Sequence, residues 1–240
     1  APTGVDYVGE SHDDSLHAMR QFCIPDIVRR ECEIDVIKPA TWWSVGGHFF
    51  AKHAIESALW DIEAQAHGVS LSELLGGTRD HIRPGVVIGL SNTIDDLLAE
   101  CNHRVNEGYR RLKIKIEPGR DVDVLRAVRA NVGDDVILQA DANGAYVASD
   151  IDTLGRLTAF NLQFIEQPFA ADDVESHIQL SRREAIRVCM DESICSSHDL
   201  EQMISVGACS VVNVKPSRVG GIGEARALHD IARARGIDAW

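Results

Sequence analysis

From residue 86 onward, short apolar runs recur at a near-constant interval, and most of them end in a polar residue. Arg111-Leu112-Lys113-Ile114-Lys115-Ile116 carries two lysines at alternate positions. Residues 136–140 end in Asp141, residues 162–165 in Glu166, residues 186–190 in Asp191 and residues 210–214 in Lys215. The steps from Lys115 through Asp141, Glu166 and Asp191 to Lys215 are 26, 25, 25 and 24 residues. A strand, a loop, a helix and a return loop take about that length, so the period is that of a parallel β/α barrel. Helical patterns fill the gaps at residues 93–106, 121–131, 150–160, 172–183 and 197–206, and again from Gly220-Gly221 to residue 235. Val86-Val87-Ile88 opens the repeat and residues 237–240 begin a seventh strand, which leaves an eight-stranded barrel one unit short.

Before the repeat the pattern is helical. Residues 11–30 place Leu16, Met19, Phe22, Cys23 and Ile27 at helical spacing, and Pro25 predicts a break. Residues 49–67 predict a long helix whose apolar face is Phe50, Ala54, Ala58, Ile62 and Ala66 beside Ile55 and Leu59, stopped by Gly68. A short helix at 71–75 ends at Gly76-Gly77. Residues 1–81 are therefore expected to form a separate, mainly helical domain, and residues 82–240 a barrel domain incomplete at its C-terminus. The chain opens at Ala1 and stops at Trp240 inside an apparent strand, so it is expected to be a fragment.

Bulk properties narrow the function classes. A composition of 45% apolar and 25% charged residues is that of an ordinary globular chain. A net charge of −13 argues against a nucleic-acid or anionic-membrane surface, because either needs a basic face. No apolar run approaches a membrane span and no signal-peptide pattern opens the chain. The six cysteines (Cys23, Cys32, Cys101, Cys189, Cys195, Cys209) form no CxxC pair, and read as reduced, mostly buried thiols of a cytoplasmic protein.

The strand ends carry the chemistry. A polar residue at the C-terminal end of each successive strand puts all of them at one mouth of the barrel. Asp141, Glu166 and Asp191, with no basic residue expected between them, would repel one another in a low-dielectric cup. A divalent cation removes that repulsion, and an all-oxygen set favours Mg2+, with Mn2+ as the alternative. Lys113 and Lys115, two apart on one strand, point the same way. Leu112, Ile114 and Ile116 face the helices, which leaves the lysines to the interior, where burial and like charge are expected to lower a lysine pKa. Lys215, four strands further round, would meet a substrate from the opposite side. A metal that grips a substrate carboxylate stabilises the enediolate formed when a base takes the α-proton. Two lysines on opposite faces permit racemisation or epimerisation; one base beside a cationic stabiliser permits syn elimination.

These residues also carry a resemblance. Lys113-Ile114-Lys115, Asp141-Ala142-Asn143, Ile165-Glu166-Gln167-Pro168, Asp191-Glu192-Ser193 and residues 213–221 (Asn-Val-Lys-Pro-Ser-Arg-Val-Gly-Gly) resemble the enolase superfamily. The likeness is to its muconate-lactonizing-enzyme subgroup, and within that to the o-succinylbenzoate synthase / N-succinylamino acid racemase family. The resemblance implies a modified (β/α)7β TIM barrel, here truncated before its last strand, with part of an α+β capping domain. It implies Asp141, Glu166 and Asp191 as Mg2+ ligands and Lys115 and Lys215 as the acid/base pair. Lys113 would tune the charge, Asn143 would line the site and Arg218 would support it. The implied activity is abstraction of a proton α to a carboxylate, giving a metal-stabilised enediolate. The product is o-succinylbenzoate in menaquinone biosynthesis, a racemised N-succinylamino acid, or both. The implied partner is a small carboxylate substrate, in a homo-oligomer.

The pattern departs from the family at Val87, where a hydroxyl residue usually stands. It also lacks the N-terminal meander and the eighth barrel strand. Dipeptide epimerase and muconate cycloisomerase are the alternatives within the subgroup. A non-catalytic binding barrel is the alternative outside it, and the intact lysines and acids count against it. A phosphate-binding barrel would need a Gly-rich turn of another kind; Gly220-Gly221 reads as relief of helix–strand crowding. Trp42-Trp43 reads as packing between cap and barrel. Glu192 reads as a structural partner rather than a ligand, and His48 and His53 as surface or packed residues.

Overall fold

The computed structural model describes residues 9–29, 43–183 and 186–240. Its helices are α1 (His12–Ala18), α2 (Ile24–Arg29), α3 (Phe49–His67), α4 (Leu71–Leu74), α5 (Ile94–Asn106), α6 (Val122–Val132), α7 (Ile151–Arg156), α8 (Val174–Ser181), α9 (Ser197–Ser205), α10 (Pro216–Val219) and α11 (Ile222–Arg235). Its strands are β1 (Val86–Ile88), β2 (Arg111–Lys115), β3 (Ile137–Asp141), β4 (Leu162–Glu166), β5 (Val188–Met190), β6 (Val211–Val212) and β7 (Asp238–Ala239). Two units divide the chain. One comprises Ala1–His81, Ile194–Leu200 and Val214–Arg235, and the other Ile82–Ser193, Glu201–Asn213 and Gly236–Trp240.

In the second unit the seven expected strands form one parallel sheet in sequence order, β1 to β7. Crossover helices start at side-chain caps: Thr93 accepts from Asp96 N–H at α5, and Asp173 from Ser176 N–H at α8. Leu112, Ile114, Leu138 and Ala140 are fully buried, while Lys113 and Lys115 take the other face of β2. Pairing aligns Lys113 with Gln139 and Lys115 with Asp141. Between β3 and β4 the register shifts: Leu138 pairs with Leu162, but Asp141 pairs with Glu166. Without that extra residue Ile165 would stand level with Asp141. Because a one-residue slip turns every side chain to the opposite face, this bulge is what aims Glu166 to the side of Asp141. The sheet is curled. Trp240, directly after β7, lies under the Arg111 guanidinium at the start of β2, 5.0 Å from ring centroid to Cζ. Its Cη2 also lies 2.7 Å from where a Cβ on Gly85 would fall, so a larger residue before β1 would have to displace it. The same indole packs with Phe164, Cys189 and Val211.

The first unit is helical. Pro25 does not break the first helical segment. Instead a π-helical turn at Met19–Cys23 joins α1 to α2, with Ile24 N–H donating to Met19 O. The wider turn accommodates a residue that lacks an N–H and crowds the preceding carbonyl. Buried Glu10 accepts from Phe50 and Ala51 N–H (both 3.1 Å), capping α3 in place of His48, which sits at φ +52 and makes no side-chain cap.

The buried face of α3 differs from the expected one. Ala54, Ala58, Ile62 and Ala66 are exposed, and Ala51, Lys52, Glu56, Trp60 and Ala64 are buried. Two charged residues hold the inner face because both have partners there. Lys52 Nζ donates to Val45 O (2.6 Å), and Glu56 Oε1 accepts from Gly223 N–H (2.7 Å) and Trp60 Nε1 (3.1 Å). Burial pushes the Glu56 carboxyl above its ordinary pKa and the Lys52 ammonium below its own.

The Gly220-Gly221 pair relieves crowding against this helix rather than against a strand. Gly220 turns at φ +87 beside Phe49, and a Cβ on Gly221 would lie 1.7 Å from Glu56 Oε2. Trp43 packs with Ala18, Cys23 and Ala51; Trp42 and Cys32 lie outside the described residues. Among the described residues no cysteine forms a disulfide, and all five but Cys195 are buried. Among the described residues no helix is long and apolar enough to cross a membrane.

Gly221→Ala must displace the Glu56 carboxylate from its two donors. It is expected to destabilise the protein by about 2 kcal/mol in urea titration, whereas Gly207→Ala, with open space around its Cβ, is expected to lose only the smaller penalty of its positive φ.

Candidate active site at the strand ends

The parallel register places Lys113, Lys115, Asp141 and Glu166 on one face of β2, β3 and β4. Lys113 Nζ lies 2.9 and 3.0 Å from the two Glu166 oxygens and 3.0 Å from Asp141 Oδ2. A basic group therefore does stand between two of the carboxylates, contrary to the reading from spacing. Lys115 Nζ donates to Asp141 Oδ2 at 2.8 Å and to Asn143 Oδ1. Asp141, Glu166 and Asp191 are at most 1% exposed and Lys113 is 6% exposed, while the Lys115 side chain keeps 26% exposure. Of the two lysines on this face, Lys115 is thus the one that a small molecule can reach.

The electrostatics follow from burial. For Lys113, desolvation disfavours the ammonium, but Glu166 and Asp141 outweigh it and hold the pKa above the ordinary lysine value. The lowering expected for a buried lysine does not occur there, because the cup is anionic rather than cationic. Glu166 is pushed up by burial first and then by Asp141 and Asp191, against the pull of Lys113. Glu192 is likewise raised by burial and by Asp191.

Several residues that the spacing did not single out hold this arrangement. Asn213 Nδ2 donates to Glu166 Oε1 at 2.8 Å. Gln167, buried and at φ +37, follows Glu166 directly and uses both ends of its amide. Its Oε1 accepts from Asp191 N–H (2.9 Å) and Ser193 N–H (3.2 Å), and its Nε2 donates to Ser193 Oγ (2.7 Å) and Phe169 O (3.0 Å). It fixes the turn that presents Asp191. Glu192 accepts from Asn143 Nδ2 at 2.8 Å, which joins it to the Lys115 neighbourhood. The sequence signal for these residues is their polarity immediately beside a strand-ending acid or lysine. Lys215 and Arg218 belong to the other unit. Lys215 is the extended residue that caps α10, two positions past Asn213. Arg218 is fully buried and donates from Nε to Ile194 O at 2.6 Å.

Among the described residues no three His, Cys, Asp or Glu side chains converge at metal-ligand spacing. In donor chemistry, however, Asp141, Glu166 and Asp191 fit a hard divalent cation. They supply only carboxylate oxygens, and burial with mutual repulsion leaves Glu166 raised despite the Lys113 ammonium.

Residues 96–240 match the family described as enolase C-terminal domain-like, and residues 15–76 match the mandelate racemase / muconate lactonizing enzyme N-terminal domain. The chain is 42% identical over 234 residues to an o-succinylbenzoate synthase of Bacillus subtilis, covering 98% of this chain and 62% of that protein. It is 43% identical over 235 residues to an N-succinylamino acid racemase of an Amycolatopsis species, covering 98% and 64%. The crystal structure of a member of the enolase superfamily from Enterococcus faecalis V583 matches with a TM-score of 0.91 at 36% identity, over 98% of this chain and 63% of that one. The chain thus spans 62–64% of the length of these curated relatives. The domain matches and the barrel strands that end in acids and lysines lead to one assignment: the chain belongs to the mandelate racemase / muconate lactonizing enzyme family of the enolase superfamily, which implies a divalent metal.

Proposed function

We propose that the protein is a Mg2+-dependent enzyme that removes the proton α to a carboxylate, acting as an o-succinylbenzoate synthase, an N-succinylamino acid racemase, or both. The observation that carries this reading is the reachable Lys115 ammonium, held by Asp141 and Asn143 on the face that also bears Glu166. The names of the relatives at 42% and 43% identity support it.

Lys115, in its neutral form, takes the α-proton at Nζ. Lys215 is assigned the opposite face of the substrate. In racemisation its ammonium returns a proton there. In dehydration one lysine takes the α-proton, and the leaving hydroxyl departs as water after receiving a proton from an ammonium group. Lys113, tied to Glu166 and Asp141, stays protonated and supports the carboxylates without exchanging protons itself. Asp141, Glu166 and Asp191 would hold Mg2+, which when bound supplies positive charge to the substrate carboxylate as negative charge develops on it. Mn2+ suits the same oxygens.

The test is α-proton exchange in D2O with Mg2+, using both enantiomers of an N-succinylamino acid in parallel with the o-succinylbenzoate precursor. Lys115→Ala and Lys215→Ala are each expected to lower exchange from one enantiomer by at least about 100-fold and to leave exchange of the other. Retention of both exchanges in both variants would remove the two-base assignment.

Lys113→Met leaves Asp141 and Glu166 without their shared ammonium. It is expected to destabilise the metal-free protein by about 3 kcal/mol, read from chemical denaturation; a change below about 1 kcal/mol would show that the pair is solvated and not a buried countercharge.

A further inference from the structure

Asn143 sits at φ +44, a left-handed conformation that few side chains adopt, directly after the end of β3. Its backbone N–H donates to Asp141 Oδ1 at 3.2 Å, so the residue is anchored at the main chain as well as at the side chain. The amide reaches two groups that make opposite demands. Lys115 Nζ offers it N–H groups alone, either as an ammonium or as a neutral amine whose lone pair faces the substrate, so it must meet Oδ1. The Glu192 carboxylate has only acceptors, so it must meet Nδ2. If the carboxylate were removed, the amide could turn and present its NH2 group to the ammonium. Asp141 Oδ2, the other acceptor of Lys115, is shared with Lys113 and belongs to the candidate metal ligands, whereas Asn143 Oδ1 carries no second claim among these contacts.

We propose that Glu192 and Asn143 form a positioning pair: Glu192 locks the Asn143 amide so that its carbonyl oxygen aims Lys115 Nζ at the substrate. This rests on the proposed function. Neither residue exchanges a proton with substrate; both act through Lys115. The consequence is an asymmetry between the two faces of the reaction. Loss of the lock should impair proton transfer on the Lys115 face and spare the Lys215 face, which a general loss of folding or of metal binding could not do.

The experiment compares Glu192→Ala, Glu192→Gln and Asn143→Ala with the wild type in the full chain. Exchange of each enantiomer is measured in D2O, with the Lys115 face defined as the one lost in Lys115→Ala. Glu192→Ala and Asn143→Ala are expected to lower kcat for exchange on that face by about tenfold or more, with the other face within about twofold of wild type. Glu192→Gln keeps a carbonyl acceptor for Nδ2 and is expected to recover most of the loss. An equal fall on both faces, or no fall, overturns the proposal.

A second measurement needs no turnover. The rate at which a water-soluble acylating reagent labels Lys115, read by mass spectrometry, is expected to change severalfold in Glu192→Ala and Asn143→Ala and to return toward the wild-type rate in Glu192→Gln. An unchanged labelling rate overturns the positioning role even if no substrate is found. Absence of exchange in the wild type, with labelling that follows the expected order, would instead count against the proposed function alone.

Discussion

The site is organised by the placement of buried charge. Lys113 comes up through the sheet face between Asp141 and Glu166, within 3.0 Å of both, in a place where water cannot screen either sign. Such a group cannot be left half-paired, since a buried carboxylate without its countercharge carries a penalty of several kcal/mol. Two strands must therefore keep their register with β2, and β4 must keep the bulge that turns Glu166 toward Asp141. The polar supports serve the same requirement: Asn213 completes Glu166, and Gln167 satisfies the turn around Asp191. The geometry that stabilises the fold here is also the geometry that gathers the acids and lysines to which the proposed chemistry is assigned.

The remaining acidity has a chemical meaning. Glu166 and Glu192 both stand above their ordinary pKa values, first through burial and then through neighbouring carboxylates. One ammonium deep in the face and one nearer solvent do not exhaust the negative charge gathered there. A fold that concentrates acids beyond its own lysines is prepared for a further cation, and oxygen donors alone select a hard one. The family to which the chain belongs gives that expectation independent weight.

Much of this was readable in the sequence. The spacing of strand-ending polar residues located β2 to β6, and for β2 to β4 also the face that Lys113, Lys115, Asp141 and Glu166 share, because a parallel barrel repeats one unit. Other features could not be read that way. The bulge in β4 leaves the apolar run unchanged and shows only in pairing. The buried face of α3 was missed because Lys52 and Glu56 count as polar in any periodicity, yet find partners at Val45 and Gly223, the latter far along the chain. The exposed Ile62 drew the pattern the wrong way. The π turn upstream of Pro25 was missed for a related reason: a proline predicts a lost hydrogen bond, while the way the helix absorbs it depends on packing. The contact between Asn143 and Glu192 joins residues from two different strand ends and has no local signature.

Whether the carboxylate face holds one divalent ion is the most direct question to put to this account. Mn2+ titration followed by electron paramagnetic resonance should find one bound ion per chain, with binding weakened by at least about tenfold in each of Asp141→Asn, Glu166→Gln and Asp191→Asn. One-to-one binding that survives all three substitutions, or no binding at millimolar Mn2+ by folded protein, would contradict it.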